Sequence, residues 1–242
     1  NYTDFYIPRI QWTNDANVLS AQVMNRHQNN LDLHFIDASS GKTNIVLNEK
    51  DNAYIDITDN LTFLSDNSFI WTSEKDGYNH IYHYDKNGKL LNQVTKGNWE
   101  VTAYYGFDEK NKTIYYQSVE NGSINRDIYS IHISGKKKNR LTSKTGTNDA
   151  TFSPNFQLFI NTYSSATNAP LYTLNDSKIG KELKVIQSNE ALESKLAQYN
   201  IAPKTFCTLT TEKGHTLNAW SIKPKDFDAS KKYPVLMYQY SG

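Results

Sequence analysis

The chain has little sulfur and no long apolar segment. Its 242 residues include one cysteine, Cys207, and two methionines. A single cysteine cannot form an intramolecular disulfide, and no metal site can be built around it. No stretch approaches the roughly 20 apolar residues of a membrane-spanning helix, so we expect no membrane span in this segment. The first residue is not Met and no signal peptide is visible, which predicts a processed or excised piece of a longer protein.

Excess charge of one sign is also missing. The chain has 26 basic and 25 acidic residues, a formal net charge of +1. The only basic cluster is Lys136-Lys137-Lys138, and without a basic stripe we expect no nucleic-acid partner. Aromatic residues, in contrast, are abundant, with 17 Tyr, 10 Phe and 4 Trp. Aromatic side chains fit half-buried pleated surfaces, so this composition favours β structure.

A Gly-Lys pair recurs along the chain at nearly constant spacing. The glycines are Gly41, Gly88, Gly135 and Gly180, which are 47, 47 and 45 residues apart. Between them lie four short strand-like runs per repeat, separated by turn residues. Four antiparallel strands in about 45 residues are typical of a propeller blade. The sequence therefore predicts a mostly β fold with four four-stranded blades, since a β-sandwich would not explain the period.

The repeat pattern ends near residue 188, which predicts a domain boundary. We assign residues 1–188 to a propeller portion of about four blades and residues 189–242 to a second domain. In the second part, residues 189–199 predict a short helix with Leu192, Leu196 and Tyr199 facing a core. A predicted hairpin follows over residues 205–222. The apolar run Tyr233–Tyr240 predicts a strand that is covered on both faces.

Four segments resemble one family of peptidases. They are Ser73–Tyr82 (SEKDGYNHIY), Thr95–Val101 (TKGNWEV), Pro170–Leu174 (PLYTL) and Lys231–Gly242 (KKYPVLMYQYSG). Together they are similar to motifs of the dipeptidyl peptidase IV branch of the prolyl oligopeptidase superfamily. The resemblance implies that residues 189–242 contain the first strands of a truncated α/β-hydrolase domain.

The resemblance implies a serine exopeptidase that removes N-terminal Xaa-Pro or Xaa-Ala dipeptides. No Gly-x-Ser-x-Gly motif occurs in the 242 residues. We therefore expect the catalytic Ser, Asp and His beyond residue 242, and the acidic pair that holds the substrate's amino terminus upstream of residue 1. On this interpretation the chain gates and orients peptides but is inactive alone. The family implies no cofactor, no metal, a periplasmic or secreted location and a possible homodimer of the parent enzyme.

Three residues are candidate site residues. By resemblance, Tyr240 matches the tyrosine whose hydroxyl donates to the oxyanion, although without the resemblance it would be read as a strand cap. Tyr54 and Asp56 lie in a loop where the family has a substrate subsite, so they are weaker candidates for substrate binding. We expect His80 to be structural within its blade, and Trp99 to pack at a blade junction.

Two other functions remain open at this point. A free-standing propeller could serve as a protein-binding scaffold, because propellers host many functions. A related oligopeptidase of the same superfamily is the other alternative. The segment Tyr233–Gly242 favours a peptidase over a scaffold, since a scaffold has no use for a buried strand there. Tyr240 argues against an acylaminoacyl peptidase, where the oxyanion donor is usually a backbone group.

Overall fold

The computed structural model describes residues 3–199 and 201–239 of the chain. Within these residues the strands form four four-stranded sheets and one two-stranded hairpin, accompanied by a short helix. Each predicted repeat corresponds to one sheet, which confirms the prediction of four propeller blades. In each sheet, four consecutive strands pair in chain order as an antiparallel meander.

Each sheet takes its four strands from one predicted repeat. The first sheet consists of β1 (Phe5–Trp12), β2 (Val18–Asn25), β3 (Asn30–Asp37) and β4 (Thr43–Lys50). The second consists of β5 (Thr62–Phe63), β6 (Phe69–Ser73), β7 (His80–Tyr84) and β8 (Leu90–Gln93). The third consists of β9 (Val101–Asp108), β10 (Thr113–Ser118), β11 (Asp127–His132) and β12 (Asn139–Arg140). The fourth consists of β13 (Thr147–Phe152), β14 (Leu158–Ser164), β15 (Leu171–Asp176) and β16 (Glu182–Gln187).

The chain divides into two compact units. The first holds the four sheets and extends to Ser188, except for the loop Ser165–Ala169. The second holds that loop and the residues from Asn189 onward. It contains helix α1 (Glu190–Leu196) and a hairpin of β17 (Lys204–Thr210) and β18 (Thr216–Ile222). The predicted helix and hairpin are therefore both present.

The prediction that one face of the helix lies in a core is wrong. Leu192, Leu196 and Tyr199 are 44%, 41% and 60% exposed, and no residue of α1 is buried. An apolar stripe is buried only where another layer covers it. The described residues of the second unit supply no such layer for α1.

The predicted strand at the end of the chain is also not formed. Residues 232–239 have no regular secondary structure, and Val235 and Leu236 are 89% and 95% exposed. A central strand needs hydrogen-bonding partners on both edges. None of the described strands adds this segment to its sheet, so its apolar sequence alone does not make it a strand. Tyr240 lies outside the described residues.

The hydrophobic cores of the first unit lie between consecutive sheets. In β6, Phe69 and Trp71 pack with residues of the first sheet, whereas Ile70 packs with residues of the third. In β10, Tyr116 packs toward the second sheet and Tyr115 toward the fourth. Successive side chains of a strand point to opposite faces. The central strands therefore fill two cores at once, which explains their unbroken apolar sequence.

The Gly-Lys turns bring each sheet against the edge of the sheet before it. The four turn glycines have φ between +69° and +81°. A Cβ at Gly88 would lie 1.5 Å from the carbonyl oxygen of Val46, at the end of the first sheet. A Cβ at Gly180 would lie 2.0 Å from the carbonyl oxygen of Leu141, at the end of the third. The recurring glycine thus permits both the turn and the close approach of two backbones.

Asparagine side chains join the same edges. Asn92 Nδ2 donates to the carbonyl of Ile133 at 2.9 Å, and Asn139 Nδ2 donates to that of Lys178 at 3.2 Å. Each asparagine lies four residues after a turn glycine, and each accepting carbonyl lies two residues before the next one. The repeat therefore encodes a contact between blades as well as the blade itself.

The turn glycines provide a graded test of this packing. We expect Gly41→Ala to cost about 1 kcal/mol, because only its positive φ opposes a side chain and nothing lies within 4 Å of the added Cβ. Gly88→Ala and Gly180→Ala should cost about 1–3 kcal/mol more, because they overpack a rigid backbone contact. The free energy of unfolding, from urea denaturation followed by circular dichroism, measures the difference.

Gly135→Ala serves as the intermediate case, since its Cβ would meet the Val94 carbonyl oxygen at 3.1 Å. Equal destabilisation by all four substitutions would show that the φ angle alone, and not the contact between sheets, selects glycine.

Candidate functional site

A cleft of about 690 Å³ opens between the first and second sheets. Three segments form its walls: the end of β4, the connector between β4 and β5, and the hairpin turn between β6 and β7. Its volume lies within the range of small-ligand sites. We refer to it as the blade 1–2 cleft.

The connector in this wall is fixed at two points. The amide of Ile55 donates to the carbonyl of Gln28 at 2.9 Å. The carbonyl of Thr58 accepts a hydrogen bond from Gln22 Nε2 at 2.8 Å, and the hydroxyls of Thr58 and Thr72 are 2.6 Å apart. These bonds attach the connector to both neighbouring sheets, so its side chains are held in defined directions.

Side chains alternate along the fixed connector. Ile55 is 8% exposed and belongs to the core between the first two sheets, and Ile57 packs against that core. Tyr54, which is 51% exposed, and Asp56, which is also exposed, line the cleft. The structure thus brings the two sequence-predicted residues to one wall of one cleft. Their part in substrate binding stays a prediction.

The opposite wall is the hairpin turn between β6 and β7. The amide of Gly77 donates to the carbonyl of Glu74 at 2.8 Å, and Gly77 has a φ of +99°. A residue with positive φ is what a tight Asp-Gly hairpin turn requires. This turn holds Glu74 and Lys75 at the cleft.

His80 holds the base of the hairpin between β6 and β7 in place through two hydrogen bonds. It is fully buried, with Nε2 3.0 Å from the carbonyl oxygen of Gly97 and Nδ1 3.0 Å from Thr95 Oγ1. A carbonyl only accepts, so Nε2 carries the proton. Thr95 Oγ1 accepts from the amide of Ile81 at 2.9 Å and can donate to Nδ1. His80 is therefore structural within its blade, as the sequence predicted.

Trp99 packs at the next junction, between the second and third sheets. Its ring meets that of His80 edge-on at 4.9 Å and stacks on Tyr116 at 6.4 Å. The ammonium of Lys138 lies 5.5 Å from the Trp99 ring centre. These contacts confirm the prediction that Trp99 is a packing residue.

Two charged side chains that line the blade 1–2 cleft, Glu49 and Lys75, contact aromatic residues beside it. Trp71 Nε1 donates to Glu49 Oε1 at 3.0 Å, and burial raises the pKa of Glu49 above its ordinary value. Lys75 Nζ donates to the Tyr84 hydroxyl at 2.6 Å and lies 3.9 Å from the Tyr82 ring centre. Burial lowers the pKa of Lys75. Both charges are thus partly removed from water and held against aromatic side chains.

The pKa of Glu74 is affected by neighbouring carboxylates, two of which, Asp51 and Asp56, also line the cleft. Partial burial raises its pKa, and the negative charges of Asp56, Glu100 and Asp51 raise it further. Like charges at this range disfavour the ionised form. The electrostatic potential at Glu74 is therefore negative, and a bound cation would reduce the repulsion between these carboxylates.

Sequence reasoning did not identify Glu49, Glu74 or Lys75 as site residues. Glu74 and Lys75 belong to the Ser73–Tyr82 motif, which carried the family resemblance but no site assignment. The acidic residue beside the Asp76-Gly77 pair was the available signal. Among the described residues, no group of three or more His, Cys, Asp or Glu side chains could hold a metal ion. Likewise, no helix in residues 3–199 and 201–239 is long and apolar enough to cross a membrane.

Comparison with known proteins identifies similar chains. Residues 1–170 match the family model described as the dipeptidyl peptidase IV N-terminal region. The chain is 31% identical over 251 aligned residues to dipeptidyl peptidase 4 of Trichophyton equinum, which covers 99% of this chain and 32% of that protein. It is 35% identical over 179 residues to dipeptidyl peptidase 4 of Arthroderma otae, covering 72% of this chain and 23% of that protein.

A solved structure has the same fold. The crystal structure of Porphyromonas gingivalis dipeptidyl peptidase 4 superposes with a TM-score of 0.91 at 39% identity, covering 97% of this chain and 33% of that one. The chain therefore spans about a third of the length of the relatives described above.

Substitution of Glu49 tests the electrostatics of the cleft. In the folded protein its pKa is raised, so the folded state binds this proton more tightly than the unfolded state. The wild-type protein then gains stability as pH falls through the folded pKa towards the unfolded value of about 4.3. Glu49→Gln has no charge to bury, so its Tm should exceed that of the wild type at pH 7. The excess should shrink on acidification.

Glu182→Gln is the matched control, since Glu182 lies exposed on β16. It should leave Tm unchanged across the same pH range. A Glu49→Gln protein with the wild-type Tm at pH 7, or with an offset that does not vary with pH, would contradict a destabilising buried charge.

Proposed function

Because this chain belongs to the dipeptidyl peptidase IV family, we propose that it is the propeller portion of a serine exopeptidase that releases N-terminal Xaa-Pro and Xaa-Ala dipeptides. The observation that carries the proposal is the match of residues 1–170 to the family's N-terminal region. The absence of a Gly-x-Ser-x-Gly motif from the sequence agrees with a non-catalytic role for this part. The family resemblance puts the Ser, Asp and His of the triad beyond residue 242.

In this function the propeller admits and orients the peptide. The connector that carries Tyr54 and Asp56 is held by buried hydrogen bonds from Gln22 and between Thr58 and Thr72. Side chains on such a fixed segment can position a ligand without a large ordering cost. We assign Tyr54 and Asp56 to contacts with the substrate beyond the released dipeptide.

Tyr240 supplies the proposed chemical contribution of this chain. When the serine attacks the scissile carbonyl, negative charge develops on the carbonyl oxygen. A hydroxyl donor about 2.7–3.1 Å from that oxygen stabilises the charge. We propose that the Tyr240 hydroxyl is this donor.

The proposed partners are peptides with Pro or Ala in the penultimate position. We also propose that the parent enzyme is periplasmic or secreted and that it forms a homodimer. These properties are the ones that the family resemblance implies.

The first experiment compares the peptidase activity of the 242-residue chain with that of the parent enzyme. The 242-residue chain should not hydrolyse Gly-Pro or Ala-Pro chromogenic substrates, whereas the parent enzyme should. Turnover by the chain that a serine-directed inhibitor abolishes would contradict its non-catalytic role. Absence of turnover by the parent would favour a protein-binding scaffold instead.

Tyr240→Phe in the parent enzyme should lower kcat about 10²–10³-fold, the usual loss for one oxyanion donor. The circular dichroism spectrum and Tm should match those of the wild type, because only a hydroxyl is removed. Wild-type kcat in this variant would remove Tyr240 from the mechanism.

Tyr54→Ala in the parent enzyme should raise KM for tetrapeptides several-fold. Dipeptide chromogenic substrates, which end at the scissile bond, should keep their KM. Leu91→Ala is a suitable control, because Leu91 is also 51% exposed but lies on β8 away from the cleft. Unchanged KM for tetrapeptides would reject the substrate role of Tyr54.

A further inference from the structure

The blade 1–2 cleft carries more negative charge than its own residues neutralise. Five acidic residues and two lysines line it. Asp59 forms an ion pair with Arg9, Glu49 accepts the Trp71 indole N–H, and Asp51 Oδ1 accepts the amide N–H of Ala53 at 2.7 Å. Asp56 and Glu74 remain, and neither carboxylate has an ion pair or hydrogen bond within the described part of the chain.

The lysines of the cleft leave these two carboxylates uncompensated. Lys75 directs its ammonium away, onto the Tyr84 hydroxyl at 2.6 Å and the Tyr82 ring at 3.9 Å. Lys50 forms no ion pair within residues 3–199 and 201–239. The two carboxylates nevertheless interact, since the charge of Asp56 contributes to the raised pKa of Glu74. Two repelling carboxylates on facing walls bind a cation favourably, because it relieves their repulsion.

An aromatic surface adjoins the two carboxylates. Tyr54 precedes Asp56 by two residues on the alternating connector, so both side chains leave it on the same side. The Tyr54 ring is half-exposed in the cleft. An aromatic ring beside carboxylates suits the alkyl chain of Lys or Arg, whose charged end reaches the acids. A metal ion suits the site less well, because the described residues offer no cluster of three ligands.

We propose that Asp56, Glu74 and Tyr54 bind the side chain of a basic residue that follows the scissile bond of the substrate. This inference rests on the proposed function and specifies its substrate class: peptides with Lys or Arg beyond the released dipeptide. Asp56 and Glu74 contact the cation from opposite walls, and Tyr54 packs against its alkyl chain. The cleft of about 690 Å³ accommodates such a side chain with adjoining backbone.

The test compares two peptides that differ only in the charged amino group of their last side chain. The parent enzyme is assayed with Gly-Pro-Ala-Lys-amide and Gly-Pro-Ala-norleucine-amide, which share the scissile bond and have side chains of similar length. We expect kcat/KM to favour the lysine peptide about tenfold, which corresponds to roughly 1.4 kcal/mol. The preference should fall as salt is raised from 0.01 to 1 M, because screening weakens partly exposed charge pairs.

Substitutions in the parent enzyme test whether Asp56 and Glu74 cause the preference for the lysine peptide. In the double variant Asp56→Asn, Glu74→Gln the preference should fall to about one, and each single variant should lose part of it. The control Glu182→Gln should keep the full preference. Equal kcat/KM for the two peptides in the wild type, or a preference that survives the double variant, would overturn the proposal.

Binding measurements separate this proposal from the proposed function. Calorimetry with the parent enzyme, after treatment with a serine-directed reagent, gives Kd for both peptides without turnover. Tighter binding of the lysine peptide without hydrolysis of either by untreated enzyme would overturn the peptidase function and support the cation site. Hydrolysis of both with equal Kd would support the peptidase function and overturn the cation site. Failure of both measurements would overturn both.

Discussion

Burial of the central strands on both faces is the constraint on which the rest of the structure depends. Phe69 and Trp71 pack toward one neighbouring sheet, while Ile70 between them packs toward the other. Burying side chains of this size is the main favourable contribution to folding. A single sheet of this sequence would expose at least one apolar face, so each blade is stabilised by the next one. The Gly-Lys turns and the Asn92 and Asn139 hydrogen bonds then hold consecutive sheets at their edges.

The blade 1–2 cleft is a product of this packing. Its connector is anchored by the buried Ile55 and by the hydrogen bond from Gln22 to Thr58. Its hairpin is anchored by His80, whose two ring nitrogens are both engaged. The polar side chains of the cleft therefore project from segments with little freedom. A rigid frame with charged groups at its surface is what selective recognition of a ligand requires.

The fold could be predicted from the sequence because the repeat and the alternation are local signals. The spacing of the four turn glycines gives the four sheets, and Asp76-Gly77 gives a hairpin that the structure contains. The strand expected at Tyr233–Tyr240 does not form over residues 233–239, because a strand depends on partners as well as on its own residues. The helix over Glu190–Leu196 forms, but its apolar side chains stay exposed for the same reason.

The cleft could be predicted only in part. Tyr54 and Asp56 were identified because the related family has a substrate subsite in the loop that contains them, but Glu49 and Glu74 come from other segments that meet them only after folding. The sequence separation of these four residues does not predict that they meet. They come together because the first and second sheets pack side by side. Tyr240 rests on family resemblance alone.

The alternating contact between consecutive sheets has a consequence for how such a chain can change over evolutionary time. Gain or loss of a whole repeat of about 47 residues recreates the same glycine contact and the same shared core where two sheets newly become neighbours. Insertion of one residue into a strand such as β6, in contrast, would exchange its two faces and spoil both cores. The architecture therefore tolerates duplication in complete modules and resists small shifts inside them.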